Sequence, residues 1–76
     1  MDADTMAGYV ARIRRNGVQA GEAAAHGDQS GQSFAREDAR RTAHNAGLSI
    51  SEREAIFGEG YREGRGSMPV MYSGRA

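Results

Sequence analysis

"LSISEREAIFGEGYREGRG", residues 48–66, carries two overlapping helix-start signals and then places glycine at 58, 60, 64 and 66. Ser51 with Glu54 reads as a capping box, in which the hydroxyl accepts a backbone N–H and the carboxylate reaches back to the cap; Ser49 with Glu52 is the alternative. Ile50, just before Ser51, is placed to staple against Ala55. On the helix that follows, at 100° per residue, Ile56, Phe57, Gly60, Tyr61 and Gly64 share one arc of roughly 140°. Two glycines therefore lie in the middle of the apolar face. Each costs ~1 kcal/mol relative to Ala in a helix interior, a cost that makes sense where the missing side chain admits another backbone. Gly58 and Gly66 lie off the arc and end or fray the helix.

The neighbour expected for those glycines is the preceding segment, "SFAREDARRTAHNAG", residues 33–47. Ser33 is its expected N-cap, Glu37 and Asp38 sit near the positive end, and Gly47 lies beyond the last turn. Ala35, Ala39, Thr42, Ala43 and Ala46 fall on one arc, a face of small side chains that suits the short end of the ~8–10 Å interaxial range. Arg36 and Arg40 flank it. Glu37 can pair with Arg41 at i+4, an arrangement worth ~0.3–0.5 kcal/mol.

Nearer the N-terminus, "DADTMAGYVARIRRNG", residues 2–17, begins with acids and Thr5 and ends on Asn16-Gly17, which reads as a start and a stop. Met6, Tyr9, Val10 and Ile13 form an apolar stripe at helical spacing, with Arg12 and Arg15 pointing away. Between these helices, "GVQAGEAAAHGDQSGQS", residues 17–33, has glycine at 17, 21, 27 and 31 and almost no large apolar side chain. It predicts a glycine-rich linker with at most a helical fragment between Val18 and His26. "SMPVMYSGRA", residues 67–76, holds the chain's single Pro and is expected to be extended. The fold predicted is all-α: one small domain over residues 1–76, with three helices near 4–16, 33–46 and 51–64. The last two form a tight helical hairpin through an Ala–Gly interface, and 17–32 and 67–76 are flexible. Met6, Val10 and Ile13 close the core against Leu48, Ile56, Phe57 and Phe34.

Composition narrows the function classes. At 76 residues, a single core rarely supplies more than ~3–5 kcal/mol. Large aliphatic and Phe side chains are sparse, but ten acids balance ten bases, and the zero net charge argues against a disordered chain. Every base is Arg, which suggests a GC-rich bacterial genome or one of its mobile elements. Lacking Lys, the chain has no phosphate-binding GxxxxGK[ST] loop and no Schiff-base nucleophile. Lacking Cys, it has no disulfide, thiolate nucleophile or cysteine metal site. The acidic start "MDADTM" predicts no signal peptide, and no run approaches the ~20 apolar residues of a membrane span. The expected setting is a bacterial cytoplasm.

His26 and His44 have no spacing that gathers metal ligands, so no metal or other cofactor is expected. Glu52, Glu59 and Glu63 form an acidic stripe that reads as a solvated face. Within residues 39–58, "ARRTAHNAGLSISEREAIF" resembles the helix-turn-helix pattern, with Ala43, Gly47, Leu48 and Ile56 at its small, turn and apolar positions. It departs at Arg53, where the pattern has an apolar residue, and at Glu52 and Glu54, which phosphates repel. The stretch "LSISEREAIFGEGYREGRG" also resembles the short accessory proteins of phages and plasmids. That resemblance implies a small helical protein that binds a host macromolecule, as anti-CRISPR and other anti-defence proteins do. The function expected is thus a non-catalytic protein-binding module, an inhibitor or modulator of a larger host complex. The expected contacts are Arg36, Arg40, Tyr61, Arg62 and Arg65, since Arg and Tyr are favoured interface anchors. The alternatives are a helix-turn-helix-like DNA-binding regulator and a homo-oligomer whose Gly and Ala faces pair between chains.

Overall fold

Asp2 starts the first helix by accepting the Thr5 backbone N–H at 2.8 Å. The computed structural model describes residues 2–67, which form α1 (Ala3–Ala25), α2 (Gln29–Ala46) and α3 (Ile50–Ser67). The domain is all-α with a helical hairpin, as the sequence pattern predicts, but the tight packing expected between α2 and α3 lies instead between α1 and each of its two neighbours. The expectation for the C-terminal segment beyond Ser67 lies outside the described residues.

All three helices run beyond their expected limits, α3 as far as Ser67, so that Gly58 and Gly66 lie inside it and do not end it. The first helix does not stop at Asn16-Gly17 but runs through Ala25, so most of the expected flexible linker, 17–32, is helical. Only 26–28 separate α1 from α2. That turn is a Schellman motif: the Asp28 N–H donates to the Ala23 carbonyl at 2.8 Å and the Gly27 N–H to Ala24 at 3.1 Å, with Gly27 at φ 75°. Asp28 then caps α2 itself, accepting the Gly31 N–H at 2.9 Å, which moves the start of this helix ahead of the expected Ser33.

A second Schellman motif ends α2 at Gly47, φ 74°, where the Leu48 N–H reaches the Ala43 carbonyl at 2.9 Å. The chain then enters α3 through the box that had been the alternative. Glu52 N–H donates to Ser49 Oγ at 3.0 Å and Ser49 N–H to Glu52 Oε1 at 2.8 Å, so Ser51 and Glu54 lie inside the helix. With the cap at Ser49, the residue ahead of it is Leu48, which is half-buried. Ile50 staples nothing and is 71% exposed.

Helix directions follow from the contacts. Along α1 the order Gly17, Gly21 meets the order Phe57, Tyr61, Arg65 along α3, so these helices run parallel. Arg12 meets Asp38 at one end of the α1–α2 pair and Ala23 stands by Gly31 at the other, so α2 returns antiparallel. The glycine seam therefore joins α1 to α3, whereas the sequence reading paired Gly60 and Gly64 with the alanine face of α2. A Cβ on Gly60 or Gly64 would run into the carbonyl oxygen of Arg14 or Val18, and one on Gly17 or Gly21 into that of Phe57 or Tyr61. Four hydrogens, two from each helix, stand where side chains would hold the backbones apart. This close approach is the small-residue packing that i, i+4 glycines permit, and it aims Cα–H groups at carbonyl oxygens.

The alanine face of α2 does become core. Ala35, Ala39 and Ala43 are buried with Ile13 and Ala20 of α1 and Phe57 of α3, and Leu48, Ile56 and Tyr61 pack against this cluster. Of the side chains expected to close the core, Ile13 does so, whereas Met6 and Val10 are only half-buried and stand outside this cluster, and Phe34 is 75% exposed and takes no part in it. Outside the seam, Arg14 bridges α1 to α3 through Glu63 at 2.7 Å and Glu59 at 3.8 Å. Two members of the predicted solvated acidic stripe thus pair with Arg14 across the helices, and the third, Glu52, completes the capping box by accepting the Ser49 N–H.

Candidate functional site: the groove between α2 and α3

Because α2 and α3 both lie against α1, they touch each other at few points and leave a groove of about 330 Å³ between them. Its floor is Phe57, 4% exposed, and Ala39; Arg36, Glu37 and Arg40 of α2 face Arg53 and Glu54 of α3. The i, i+4 spacing that buries Ala35 and Ala39 is what sets Arg36 and Arg40 on one rim.

The groove arginines differ in their partners. Arg40 donates from Nε to Glu37 Oε1 at 3.1 Å and from Nη2 to Oε2, and this bond holds the Glu37 carboxyl below the usual range and raises the Arg40 guanidinium. Arg41, the expected partner of Glu37, stands farther off at 3.7 Å. Arg53 is bound to Glu54 Oε2 at 3.1 and 3.2 Å. Arg36 is different. Its guanidinium lies 4.9 Å from the centre of the Phe57 ring and 5.7 Å from that of Tyr61, and these rings stack at 6.4 Å and 25°. Among the described residues it makes no ion pair, so its charge rests on aromatic faces and stays open to an anionic partner.

Three of the five residues expected to contact a partner, Arg36, Arg40 and Tyr61, come together here. Arg62 and Arg65 are exposed but lie about 100° and 40° around α3 from Tyr61, so Arg65 borders this side and Arg62 does not. Sequence reasoning assigned Phe57 only to the core and gave Arg53 and Glu54 no part in the site. Their signal was present in the spacing of 53, 54, 57 and 61, which line one side of a helix.

The histidines are far apart: His26 forms the α1–α2 turn, and about 22 Å of helix separates it from His44 near the end of α2. Among the described residues no three His, Cys, Asp or Glu side chains gather as a metal site would require. No helix among those residues is long and apolar enough to cross a membrane. The groove can offer an aromatic floor, a cation with no ion pair among the described residues and two arginines held in place by neighbouring carboxylates.

No family model, curated protein or solved structure matches this chain.

Proposed function

We propose that this chain is a small non-catalytic binding module that presents the α2–α3 groove to a segment of a protein partner, as an inhibitor or modulator carried by a bacterial mobile element and acting in the host cytoplasm. The observation that carries the reading is Arg36, a cation without a carboxylate partner among the described residues, stacked on Phe57 and Tyr61 at the mouth of an open groove. Arg and Tyr with a buried aromatic anchor are the composition of interface hot spots. Arg40 and Arg53 are already oriented by Glu37 and Glu54, so less side-chain freedom remains to be lost on binding.

The Gly and Ala faces that a self-assembling structural protein would use between copies are occupied within one chain, which disfavours the oligomeric alternative. DNA binding is disfavoured by zero net charge and by Glu52 at the start of α3, the helix that would enter a groove.

The test is affinity capture from bacterial lysate with the wild-type chain and with Arg36→Glu, read by mass spectrometry. A partner retained by the wild type and lost by the variant supports the reading. Retention of nothing, or equal retention by both, rejects it.

A further inference from the structure

The α2–α3 groove continues past Arg53. A second hollow of about 260 Å³ opens beside it, lined by Ala43, His44, Leu48, Ser49 and Ile50, and Arg40 and Arg53 line both. The two join into one trough whose walls are single helical stripes. Ser33, Arg36, Glu37, Arg40 and His44 of α2 follow i, i+3, i+4, i+7, i+11, and Ile50, Arg53, Glu54 and Phe57 of α3 follow i, i+3, i+4, i+7. From Ser33 to His44 the trough runs about 16 Å. Its apolar surface lies at two places, Phe57 with Ala39 and Leu48 with the exposed Ile50. The charges between them are unequal: Arg36, Arg40 and Arg53 stand against Glu37 and Glu54, and both carboxylates are already taken, Glu37 by Arg40 and Glu54 by Arg53. A basic partner would have to break those pairs. An acidic one meets Arg36, which has no ion pair among the described residues.

The walls also select the partner's conformation. Along a helix the backbone N–H and C=O groups are spent on one another, so an extended segment laid in this trough would find no sheet edge to pair with. A helical segment arrives with its backbone groups already paired. Ile50 and Phe57, seven residues apart, are separated by about 10 Å along α3, the rise between positions i and i+7 of an incoming helix. Resting on the reading of this groove as the binding face, we infer that its occupant is an acidic amphipathic helix of a protein partner, about three turns long. Apolar side chains of that helix lie over Phe57 and against Ile50, and a carboxylate meets Arg36.

The probe is a displayed library of random peptides about 14 residues long, enough for the turns required, selected on the full chain. The best-enriched peptides are then synthesised and titrated by fluorescence anisotropy, with their helicity followed by circular dichroism. The expected peptides carry more Asp and Glu than Lys and Arg, place apolar residues seven apart and gain helix on binding. Arg36→Glu and Ile50→Ser should each weaken them about tenfold, the loss that marks an interface anchor. Both residues are exposed, so both variants should fold. Replacing the peptide's contacting acid with Lys should restore binding to Arg36→Glu, a rescue that a fault in folding would not give. Peptides that need Arg36 but are neutral or basic, or bind without gaining helix, overturn the acidic helix and leave the groove as the binding face. Peptides bound equally by wild type and both variants overturn the groove reading as well. Enrichment of nothing overturns the inference. So does a dimer, seen by light scattering, that Arg36→Glu dissolves, since the trough then receives a second copy of this chain.

Discussion

The hydrogen that Gly60 carries in place of a Cβ points at the carbonyl oxygen of Arg14, and a Cβ there would also stand 2.9 Å from the Val18 nitrogen. Neither neighbour is the end of a flexible side chain that can swing away; both belong to the backbone of α1. Gly64 stands in the same relation to Val18. Alanine is the better helix former by ~1 kcal/mol, so Gly→Ala at an unconstrained helical site is stabilising. At Gly60 or Gly64 the helices must separate, and the expected net result is a loss of about 1–3 kcal/mol. Gly8 and Gly66 supply the contrast, because a Cβ at either meets nothing within 4 Å. There the same substitution should add about 0.5–1 kcal/mol. Urea midpoints for the four variants decide the matter. Loss at 60 and 64 with gain at 8 and 66 supports the seam, and a uniform gain rules it out.

The choice between the two capping boxes at the start of α3 makes a sharper comparison between neighbouring serines. Ser49 Oγ accepts the Glu52 N–H and the Ser49 carbonyl accepts the first helical bond, from Arg53 at 2.9 Å. Ser49→Ala should therefore cost about 1 kcal/mol, whereas Ser51→Ala, inside the first turn, should change stability by less than about 0.5 kcal/mol. If thermal melts show the larger loss at Ser51, helix α3 begins two residues later than described.

Four carboxyls set the acid limb of stability. Asp38 is held below its ordinary 3.8 by the Arg12 bond, Glu37 below 4.5 by Arg40, Glu52 by the Ser49 backbone N–H and Asp2 by that of Thr5. As pH falls the unfolded chain takes up each proton first, so folded stability is fully present above about pH 5 and drains away through roughly pH 4 and below. Asp38→Asn removes one contributor and the α1–α2 bridge with it. Its deficit relative to the wild type should be greatest near neutrality and shrink in acid, measured as urea midpoints across that range. A deficit that stays constant with pH would mean that the Arg12 pair contributes nothing through its charge.

How far the sequence revealed this arrangement depends on what each residue's role needs. The alanine arc of α2, the apolar arc of α3 and the stripe from Met6 to Ile13 were legible because spacing along one helix reports which side is buried. The partner of a buried face is a property of three dimensions, and that is where the reading failed. Gly17 and Gly21 look like breakers when only local propensity is weighed, and α1 seems to end there. They are helical because burial against Phe57 and Tyr61 outweighs the ~1 kcal/mol that each costs, a tertiary term that no local window contains. The clue lay in equal spacing: glycines four apart at 17 and 21 match glycines four apart at 60 and 64. In the site, Arg36, Arg40 and Tyr61 could be chosen as interface types, but the seating of Arg36 on an aromatic ring depends on where Phe57 of α3 lies relative to α2.

That aromatic seat allows the binding role of Arg36 to be separated from its structural one. A cation over an aromatic face at an exposed site is worth about 0.5–1 kcal/mol, so Arg36→Gln should lower stability by no more than that. Tyr61→Phe keeps the ring under the guanidinium and should leave stability nearly unchanged. If the groove receives a partner, Arg36→Gln should weaken capture by at least about tenfold, more than its loss of stability can explain, because truncating an interface anchor typically costs over 1 kcal/mol. The two quantities are read on the same samples, stability by urea titration and capture by the fraction of partner retained. A weakening of capture that tracks the stability loss across Arg36→Gln, Arg40→Gln and Tyr61→Phe would assign these residues to the fold alone. Duplex DNA in place of a protein would show itself differently, through binding that falls steeply with salt and depends little on Tyr61.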